Sequence, residues 1–342
     1  MEKIVSAFEK RGASCARLVE WKTAVRIGLM AWLLLFGAEA FSLETVHMAI
    51  STKSFQLVLY PIAQERGYMT EEGIDLRMVF IQATPSIQAM MAGDLQFTGS
   101  GGSALLALVR GSVPVKVVFV VNDRVLQWLL TRPNISSPKD LKGKKIVTTG
   151  IASVATFMLR QILTKYGLDG NKDVTYISAG ANNQLTALMS GVADAAIVNA
   201  DMRYIGLDNG MKELFYFGNE VKNSWGALAT SDRLIKEKPK LVAGFIKATL
   251  KALRLIRQDR EGTIAASVKF SGINRAQATR VYDDLIGSFT RNGAVDEETQ
   301  KNDLLITRQV AGVTDNIPNA RAFDFSFALE ADQQLNGAGW RP

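Results

Sequence analysis

The chain has 342 residues, of which 47% are hydrophobic and 21% are charged, and its formal net charge is +7. This length allows two domains with a large core, and the composition is typical of a globular protein. The positive charge is spread along the chain without a basic block, so we expect no nucleic-acid partner.

The first forty residues have the pattern of an export signal. Lys22 and Arg26 precede the apolar run IGLMAWLLLFG at residues 27–37, which is short for a membrane span. The tripeptide AEA at residues 38–40 then supplies a small-x-small cleavage site. We therefore predict a signal peptide over residues 1–40 and an exported mature protein, with a retained N-terminal anchor as the alternative.

Residue types that carry catalysis or bind metals are scarce. The one cysteine, Cys15, falls in the predicted signal, so the mature chain offers no disulfide and no thiolate. The one histidine, His47, is expected inside the first strand as a core residue. The sequence also lacks an H-E-x-x-H motif, a phosphate-binding lysine loop and a nucleophile elbow. We therefore predict no catalytic residue, no metal and no cofactor.

Short β-branched segments alternate along the chain with segments of helical periodicity. The predicted strands are residues 45–50, 74–81, 113–121, 144–149, 173–178 and 193–200. The predicted helical segments between them are residues 55–67, 86–94, 155–167 and 183–192. This alternation predicts an α/β protein with mainly parallel sheets covered on both faces.

A weak internal repeat suggests two similar halves. AMMAGDLQF at residues 89–97 and ALMSGVADA at residues 187–195 share alanine, methionine and glycine positions, and both predict a helix end, a glycine and then a strand. From residue 232 to about 305 helical patterns dominate. We expect these helices to form an outer layer whose basic face is solvated, with a membrane or partner role as the alternative.

A glycine-rich turn, QFTGSGGSALL at residues 96–106, follows one of the strand-like runs. Gly99, Gly101 and Ala104 fit the G-x-G-x-x-G/A spacing, and Asp123 lies at about the distance of a ribose-binding acid. Glycine and serine are also common wherever a strand turns into a helix, because glycine tolerates positive φ and serine caps the helix. From these residues alone, a structural turn, a small-ligand cradle and a dinucleotide site all remain open.

Other polar turns follow predicted strands in the same way. They are STKSF at residues 51–55, QATPS at 82–86, TGSGGS at 98–103 and TGIASVA at 149–155. In open α/β sheets, the loops at the carboxyl ends of strands converge on one crevice. Helix N-termini in such a crevice favour an anionic or strongly polar group.

A family resemblance is carried by five segments that follow one another along the chain. They are YPIAQERGYMTEEGIDLRMV, QAMMAGDLQFTGSGG, SPKDLKGKKIVTTGIAS, LMSGVADAAIVNAD and KPKLVAGFIKATLKALRLIRQDRE. In these segments the chain resembles the periplasmic substrate-binding proteins of ABC importers, in the aliphatic-sulfonate, taurine, nitrate and thiamine-pyrimidine (NMT1/THI5-like) group. The resemblance covers nearly all of the chain after the predicted signal.

The resemblance implies the type II periplasmic-binding-protein fold, with two lobes that each contain a mainly parallel sheet flanked by helices. The implied domains are the signal peptide at 1–40, lobe 1 at 41–122 and 226–342, and lobe 2 at 123–225, with crossovers near 122–125 and 223–226. Ligand would be held in the cleft between the lobes.

The implied function is that of a monomeric, non-enzymatic receptor. It would capture a small anionic, sulfonate-like molecule and deliver it to an ABC permease and indirectly to its ATPase. The alternatives are an exported enzyme or sensor domain on the same fold, and a receptor for a neutral heterocycle such as a pyrimidine. The cysteine-rich segment of the thiamine-pyrimidine synthases is absent, which excludes their suicide-substrate chemistry.

The expected ligand-binding residues come from both lobes. In lobe 1 they are Ser51, Lys53, Ser54, Phe55, Thr84, Ser86, Ser100, Gly101 and Gly102. In lobe 2 they are Thr149, Ser153, Ala155, Asn199 and Trp225. The candidate counter-charges are Lys53, Arg124 and Arg203, and the candidate cleft walls are Phe55, Trp128, Phe157 and Trp225.

Three substitutions express this expectation. Gly101→Val should weaken ligand binding with little effect on folding, because glycine permits close approach of a ligand to the backbone. Ser100→Ala and Ser153→Ala should each weaken binding if their hydroxyl groups contact the ligand.

Overall fold

The computed structural model describes residues 42–111, 113–151, 153–180 and 183–342. The predicted signal peptide and Cys15 lie outside the described residues. The strands, in chain order, are β1 Glu44–Ile50, β2 Ile74–Phe80, β3 Phe97–Thr98, β4 Val115–Asn122, β5 Gln127–Thr131, β6 Lys145–Thr148, β7 Thr175–Ser178, β8 Ala195–Asn199, β9 Lys212–Tyr216 and β10 Trp225–Ser231.

Helices fill most of the remaining sequence. They are α1 Leu59–Glu65, α2 Tyr68–Glu71, α3 Ala83–Ala92, α4 Gly101–Gly111, α5 Val154–Lys165, α6 Gln184–Met189, α7 Ala200–Asp208, α8 Phe217–Glu220, α9 Asp232–Glu237, α10 Pro239–Gln258, α11 Arg260–Ser271, α12 Arg275–Leu285, α13 Glu297–Ala311, α14 Asn319–Ala322 and α15 Ser326–Gly337. Short 3₁₀ turns occur at Phe55–Leu57, Pro138–Leu141 and Ile286–Ser288.

The strands form two five-stranded sheets of the same topology. The first sheet has the order β2-β1-β3-β10-β4, and the second has the order β7-β6-β8-β5-β9. In each sheet four strands run in one direction, and the fifth, β10 or β5, is antiparallel to both of its neighbours. The predicted α/β fold with two mainly parallel sheets is therefore confirmed, although the sequence patterns missed β5, β9 and β10.

The internal repeat is confirmed by this shared topology. AMMAGDLQF leads into β3 and ALMSGVADA leads into β8, which occupy equivalent positions in the two sheets. Gly93 and Gly191 follow the preceding helices with φ values of 98° and 81°. A residue in this left-handed region ends a helix, and glycine adopts it without the steric penalty of a Cβ.

The chain passes between the sheets at two adjacent places. It leaves the first sheet at Asn122 and enters the second at Gln127, and it returns between Tyr216 and Trp225. Trp225 is paired with Asn122 in the ladder between β10 and β4. The outgoing and returning segments therefore lie side by side, close to the predicted crossover positions.

Buried apolar residues cover both sheets in three clusters within the described residues. Phe97 of β3 stacks on Phe245 of α10, with ring centroids 4.1 Å apart. Helix α13 contributes Leu304 to the core beside the first sheet and Ile306 to the core beside the second. A C-terminal helix thus connects the two sheets at a second place besides the crossovers.

The expected outer position of the helices after residue 232 is wrong for α10. This helix is buried along its length, and even the side chain of Lys251 is only 7% exposed where its Nζ pairs with Glu71. The reason is that α15, which the sequence patterns did not predict, packs against α10 together with α1. Within the described residues, no helix is both long and apolar enough to cross a membrane.

Candidate functional site

The predicted polar turns lie at the carboxyl ends of strands in both sheets. In the first sheet, residues 51–54 follow β1, residues 81–82 and the start of α3 follow β2, and residues 99–100 lead from β3 into α4. In the second sheet, residues 149–153 follow β6, and α7 begins directly after β8. These turns bring polar side chains and helix N-termini to one edge of each sheet.

The two sets of turns meet at one buried hydrogen bond. The backbone N–H of Phe55 donates to Asp201 Oδ2 over 3.2 Å. Asp201 lies in the first turn of α7, is 8% exposed, and its Oδ1 has no hydrogen-bond partner among the described residues. A carboxylate of the second sheet therefore faces backbone of the first, with one oxygen still unused.

Burial changes the acidity of this carboxyl group. Desolvation raises the pKa of Asp201 to about 6, and the hydrogen bond from the Phe55 N–H opposes the rise. An unpartnered oxygen in this environment costs free energy unless a donor reaches it.

Amide side chains lie beside the adjacent crossovers. Gln127 is paired with Asn199 in the ladder between β5 and β8, and Asp201 follows two residues later. Asn122 Nδ2 donates to Ser288 Oγ over 2.9 Å, whereas Asn122 Oδ1 and Gln127 Oε1 are buried without a partner in the described part of the chain. Polar groups with free hydrogen-bonding capacity therefore cluster near the place where the sheets join.

The glycine-rich turn divides into two unlike positions. A Cβ at Gly101 would lie 2.4 Å from Ala227 Cβ and 2.6 Å from Ala227 O, so Gly101 is required for packing of α4 against β10. A Cβ at Gly102 would have no described atom within 4 Å. The expectation that Gly101→Val would leave folding largely intact is therefore wrong, because the added side chain would collide with the backbone of a central strand.

Two of the predicted serines have their hydroxyl groups engaged within the protein. Ser86 Oγ donates to the Ala83 carbonyl over 2.6 Å and lies 3.1 Å from Thr98 Oγ1. Ser153 caps α5, because its Oγ accepts from the Thr156 N–H over 3.2 Å. Ligand contacts at these two positions stay predictions, but both side chains already have structural roles.

The remaining turn residues of the first sheet differ in exposure. Ser54 is buried, with its Oγ 3.0 Å from Thr52 Oγ1, while Ser51 and Ser100 are partly buried. Thr84 is exposed, and so is Lys53, whose Nζ lies 5.2 Å from the centre of the Phe80 ring.

Around the second sheet, Thr149 is exposed and Asn199 is partly buried. Ala155, in the first turn of α5, is part of the buried core. Ligand contacts at all of these positions remain predictions.

The predicted aromatic walls occupy several environments. Phe55 is fully buried, and its ring packs edge-on against Tyr282 and Phe289 at centroid distances of 6.3 and 6.0 Å. Trp128 is buried and stacks on Tyr216 at 4.6 Å. Phe157 and Trp225 are partly buried, and Trp225 packs against the cores of both sheets. The structure places Trp225 at the start of β10, paired with Asn122 beside the crossover, and the ring of Phe55 in the core.

Two of the three candidate counter-charges are paired with carboxylates. Arg124 Nε donates to Asp123 Oδ1 over 2.8 Å. Arg203 pairs with Glu213 and with Asp284 of α12. Asp123, which the dinucleotide alternative required, is thus engaged with its neighbour. Lys53 is the candidate cation for which the described residues supply no carboxylate partner.

Sequence reasoning missed Asp201, although it selected Asn199 two residues earlier. The signal was available, because Asp201 is the first acidic residue after a buried strand and lies in the first turn of the next helix. Its burial and its hydrogen bond depend on Phe55 in the 3₁₀ turn after β1, which the sequence near Asp201 does not report.

Two further features bear on the chemistry. Within the described residues, no three His, Cys, Asp or Glu side chains converge in a way that could hold a metal ion. A cavity of about 180 Å³ lies between α1 and α11, with Arg66, Asp259 and Lys269 in its lining. It contains none of the strand-end residues and is separate from the candidate site.

Similarity to known proteins identifies the family. Residues 54–262 match the family described as NMT1/THI5 like. The chain belongs to the NMT1/THI5-like family. It is also 28% identical over 221 residues to the riboflavin-binding protein RibY of Chloroflexus aurantiacus, an alignment that covers 62% of this chain and 62% of RibY. The family predicted from the sequence is confirmed.

Solved structures confirm the fold. The alkanesulfonate-binding protein SsuA of Xanthomonas axonopodis pv. citri, bound to MOPS, has a TM-score of 0.68 and 19% identity, covering 82% of this chain and 98% of SsuA. The desulfurization enzyme DSZB has a TM-score of 0.65 and 14% identity, covering 85% of this chain and 99% of DSZB. A binding protein and an enzyme thus share this fold, so the function must be argued from the site.

Proposed function

We propose that the protein is a periplasmic solute-binding protein that captures a small organic molecule between its two sheets and delivers it to an ABC permease and its ATPase. The observation that carries the proposal is the meeting of two equivalent sets of strand-end turns at Phe55 and Asp201, beside two adjacent crossovers. Two chain crossings form a hinge, and a ligand that contacts both sides favours the shut state.

The proposal includes the domain organisation and the state of the mature protein. Residues 41–122 and 226–342 form lobe 1, and residues 123–225 form lobe 2. Residues 1–40 are a cleaved signal peptide, and the mature protein acts as a monomer. The division into lobes is supported by the two sheets, because the chain passes from one sheet to the other only at the two crossovers.

For the ligand, we propose a sulfonate-like anionic group held by the strand-end turns. Helices α3, α4 and α5 begin at these turns, and their N-termini present backbone N–H groups and the positive end of the helix dipole. Lys53 supplies an exposed cation beside the same edge. The binding of MOPS, which carries a sulfonate, by the similar SsuA supports this assignment.

Two other functions have one observation each in their favour. The likeness to RibY favours a heterocyclic ligand, and the shared fold with DSZB favours an enzyme. Against an enzyme, the chain has no cysteine after Cys15, and its one histidine, His47, is part of β1. We therefore propose binding without catalysis.

The test is a thermal-shift and calorimetric screen of the secreted protein with sulfonates, carboxylates, nitrate, pyrimidines and flavins. A true ligand at 100 times its dissociation constant should add about 2.7 kcal/mol to the free energy of unfolding. Chromatography of each mixture after incubation checks for turnover. Product formation would contradict the receptor role, and the absence of stabilisation by any compound would contradict solute binding.

A further inference from the structure

Helix α13 holds the returning crossover at three successive residues, 222 to 224. Resting on the proposed function, we infer that α13 is a brace for the hinge between the two sheets and that Asp303 is the positioning residue of this brace. Asp303 lies outside the strand-end turns and acts through the crossover that it holds. The brace stabilises the arrangement in which the sheets meet at Phe55 and Asp201, so it controls how readily the protein shuts on a solute.

The first contacts of the brace join two side chains of α13 to one residue of the crossover. Glu298, in the first turn of the helix, pairs with Lys222 Nζ. Asn302 Nδ2, about one turn later, donates to the Lys222 carbonyl over 3.0 Å. Exposed ion pairs contribute little to stability, so the next two residues of the crossover supply most of the grip.

The grip of Asp303 is buried and uses both carboxylate oxygens. Oδ1 accepts from Asn223 Nδ2 over 2.9 Å and from the Ser224 N–H over 3.0 Å, and Oδ2 accepts from Ser224 Oγ over 2.6 Å. Asp303 is 8% exposed, and no ion pair among the described residues includes it. The side chain therefore relies on the crossover for its hydrogen-bond donors.

This dependence couples the carboxylate to the position of the crossover. Burial raises the pKa of Asp303 to about 6, and the hydrogen bonds from Ser224 and Asn223 oppose the rise. Rotation of one sheet against the other changes the backbone torsions of the crossing segments. A rotation that withdrew residues 223 and 224 would leave a buried carboxylate without donors, which is costly. The hydrogen bonds therefore favour the crossover conformation described above.

The body of α13 contacts structure on both sides of the hinge. It packs against α4 beside the first sheet and against α5 beside the second. Leu304 lies in the core beside the first sheet, and Ile306 lies in the core beside the second. A helix with these contacts cannot follow one sheet in a rotation without sliding against the other. The position of α13 and the angle between the sheets therefore change together.

The outgoing crossover is held by a nearby part of the chain. Asn122 Nδ2 donates to Ser288 Oγ over 2.9 Å, and the Asp123 N–H donates to the Ser288 carbonyl over 2.8 Å. Both crossings are thus fastened to residues between 288 and 303, and the hinge is braced by the C-terminal part of the chain.

The experiment measures the distance between the two sheets in the exported protein without added ligand. Spin labels are attached at Gln88→Cys on α3 and Gln161→Cys on α5, two exposed positions on the helices that follow β2 and β6. Cys15→Ser removes the one native cysteine, so only these two sites are labelled. Pulsed electron–electron double resonance then gives the populations of short and long label distances.

Two substitutions of Asp303 test its hydrogen bonds. Asp303→Leu removes the acceptors at similar size and should raise the ratio of long to short distances by about 10-fold or more, because bonds to a charged group are lost. Asp303→Asn keeps an oxygen that accepts from Asn223 and Ser224, and its NH₂ group can donate to Ser224 Oγ. It should therefore change the ratio by less than about threefold.

Two further variants control for lost stability. Ile264→Ala truncates a fully buried side chain of α11, a helix that takes no part in either crossover, so it should lower the melting temperature without changing the ratio. If Asp303→Leu does not fold, Ser224→Ala decides in its place. It removes only the donor to Asp303 Oδ2 and should raise the ratio by about threefold or more.

The outcomes separate this inference from the proposed function. An unchanged ratio in the folded Asp303→Leu or Ser224→Ala protein would overturn the brace, and so would an equal rise in Ile264→Ala. A rise in Asp303→Asn as large as that in Asp303→Leu would overturn the role of these hydrogen bonds. Because the distances are measured without ligand, each of these results leaves solute binding to the screen of compounds. A screen that yields no ligand contradicts the proposed function and leaves the distances as they are.

Discussion

Replacing Gly101 with alanine should destabilise the protein, although the change adds a single methyl group. The new Cβ would lie 2.4 Å from Ala227 Cβ and 2.6 Å from Ala227 O. Ala227 belongs to β10, which is held by ladders to β3 and β4 on its two sides, so its backbone cannot move away without weakening them. Overpacking of this kind costs about 1–3 kcal/mol. Alanine regains at most about 1 kcal/mol over glycine in a helix.

Gly102→Ala is the matched control in the next position of the same helix. Its Cβ would meet no described atom within 4 Å, so stability should stay the same or rise by up to about 1 kcal/mol. Urea unfolding measures both variants, and an unchanged m-value shows that the midpoints report stability. Equal stability of Gly101→Ala and Gly102→Ala would refute the packing argument.

Three further predictions concern carboxyl groups, a helix cap and an ion pair. Because burial raises the pKa of Asp201 and Asp303 to about 6 from 3.8, both bind protons more tightly in the folded than in the unfolded state. The free energy of unfolding should therefore rise as the pH falls from 7 to 5, by about 1 kcal/mol for each residue, and urea unfolding of Asp303→Asn should show about half of that rise. Ser153→Ala removes the cap of α5 and should cost about 1 kcal/mol of stability, measured by the same unfolding. A double-mutant cycle of Arg203→Met and Asp284→Asn should give a coupling energy of about 0.5–3 kcal/mol, because the two side chains pair directly.

Each of these has an outcome that contradicts it. If the free energy of unfolding decreases when the pH is lowered from 7 to 5, the two buried carboxyl groups do not control stability in this pH range. Full stability of Ser153→Ala combined with weaker ligand binding would assign that hydroxyl group to the ligand instead of the helix cap. Additive effects of the Arg203 and Asp284 substitutions would show that their contact contributes nothing to folding.

The alternating strands and helices were predictable because each carries its own periodicity. Strand β10 was not, since its sequence WGALATS contains glycine and alanine, which have low strand propensity. It is a strand because the edges of β3 and β4 both supply hydrogen bonds to it. Strand β5 also receives hydrogen bonds from two neighbours, because its residues pair with β8 and β9. Both are the antiparallel strands that follow a crossover, so their conformation is decided by the assembled sheet.

The candidate site was predictable at the level of turns and not at the level of atoms. The sequence placed polar turns after β1, β2, β3 and β6, and the structure has turns at the ends of those strands. It could not separate a serine that caps a helix, such as Ser153, from one with a free hydroxyl group. Nor could it show that Gly101 packs against Ala227 of β10, because the two residues are more than one hundred positions apart in the sequence.

Helix α7 carries several of the contacts that hold the two sheets together. Asp201 lies in the first turn of α7. Arg203 and Tyr204 follow within one turn, and both donate hydrogen bonds to Asp284 of α12. Opening the proposed cleft therefore requires loss of the Phe55–Asp201 hydrogen bond together with these bonds, since one rigid helix carries them all.

A ligand that contacts the strand-end turns of both sheets, as proposed, would add its contacts to the hydrogen bond between the Phe55 N–H and Asp201 Oδ2. Ligand contact and lobe contact then stabilise the same state. This is the condition under which binding shifts the population toward the shut form.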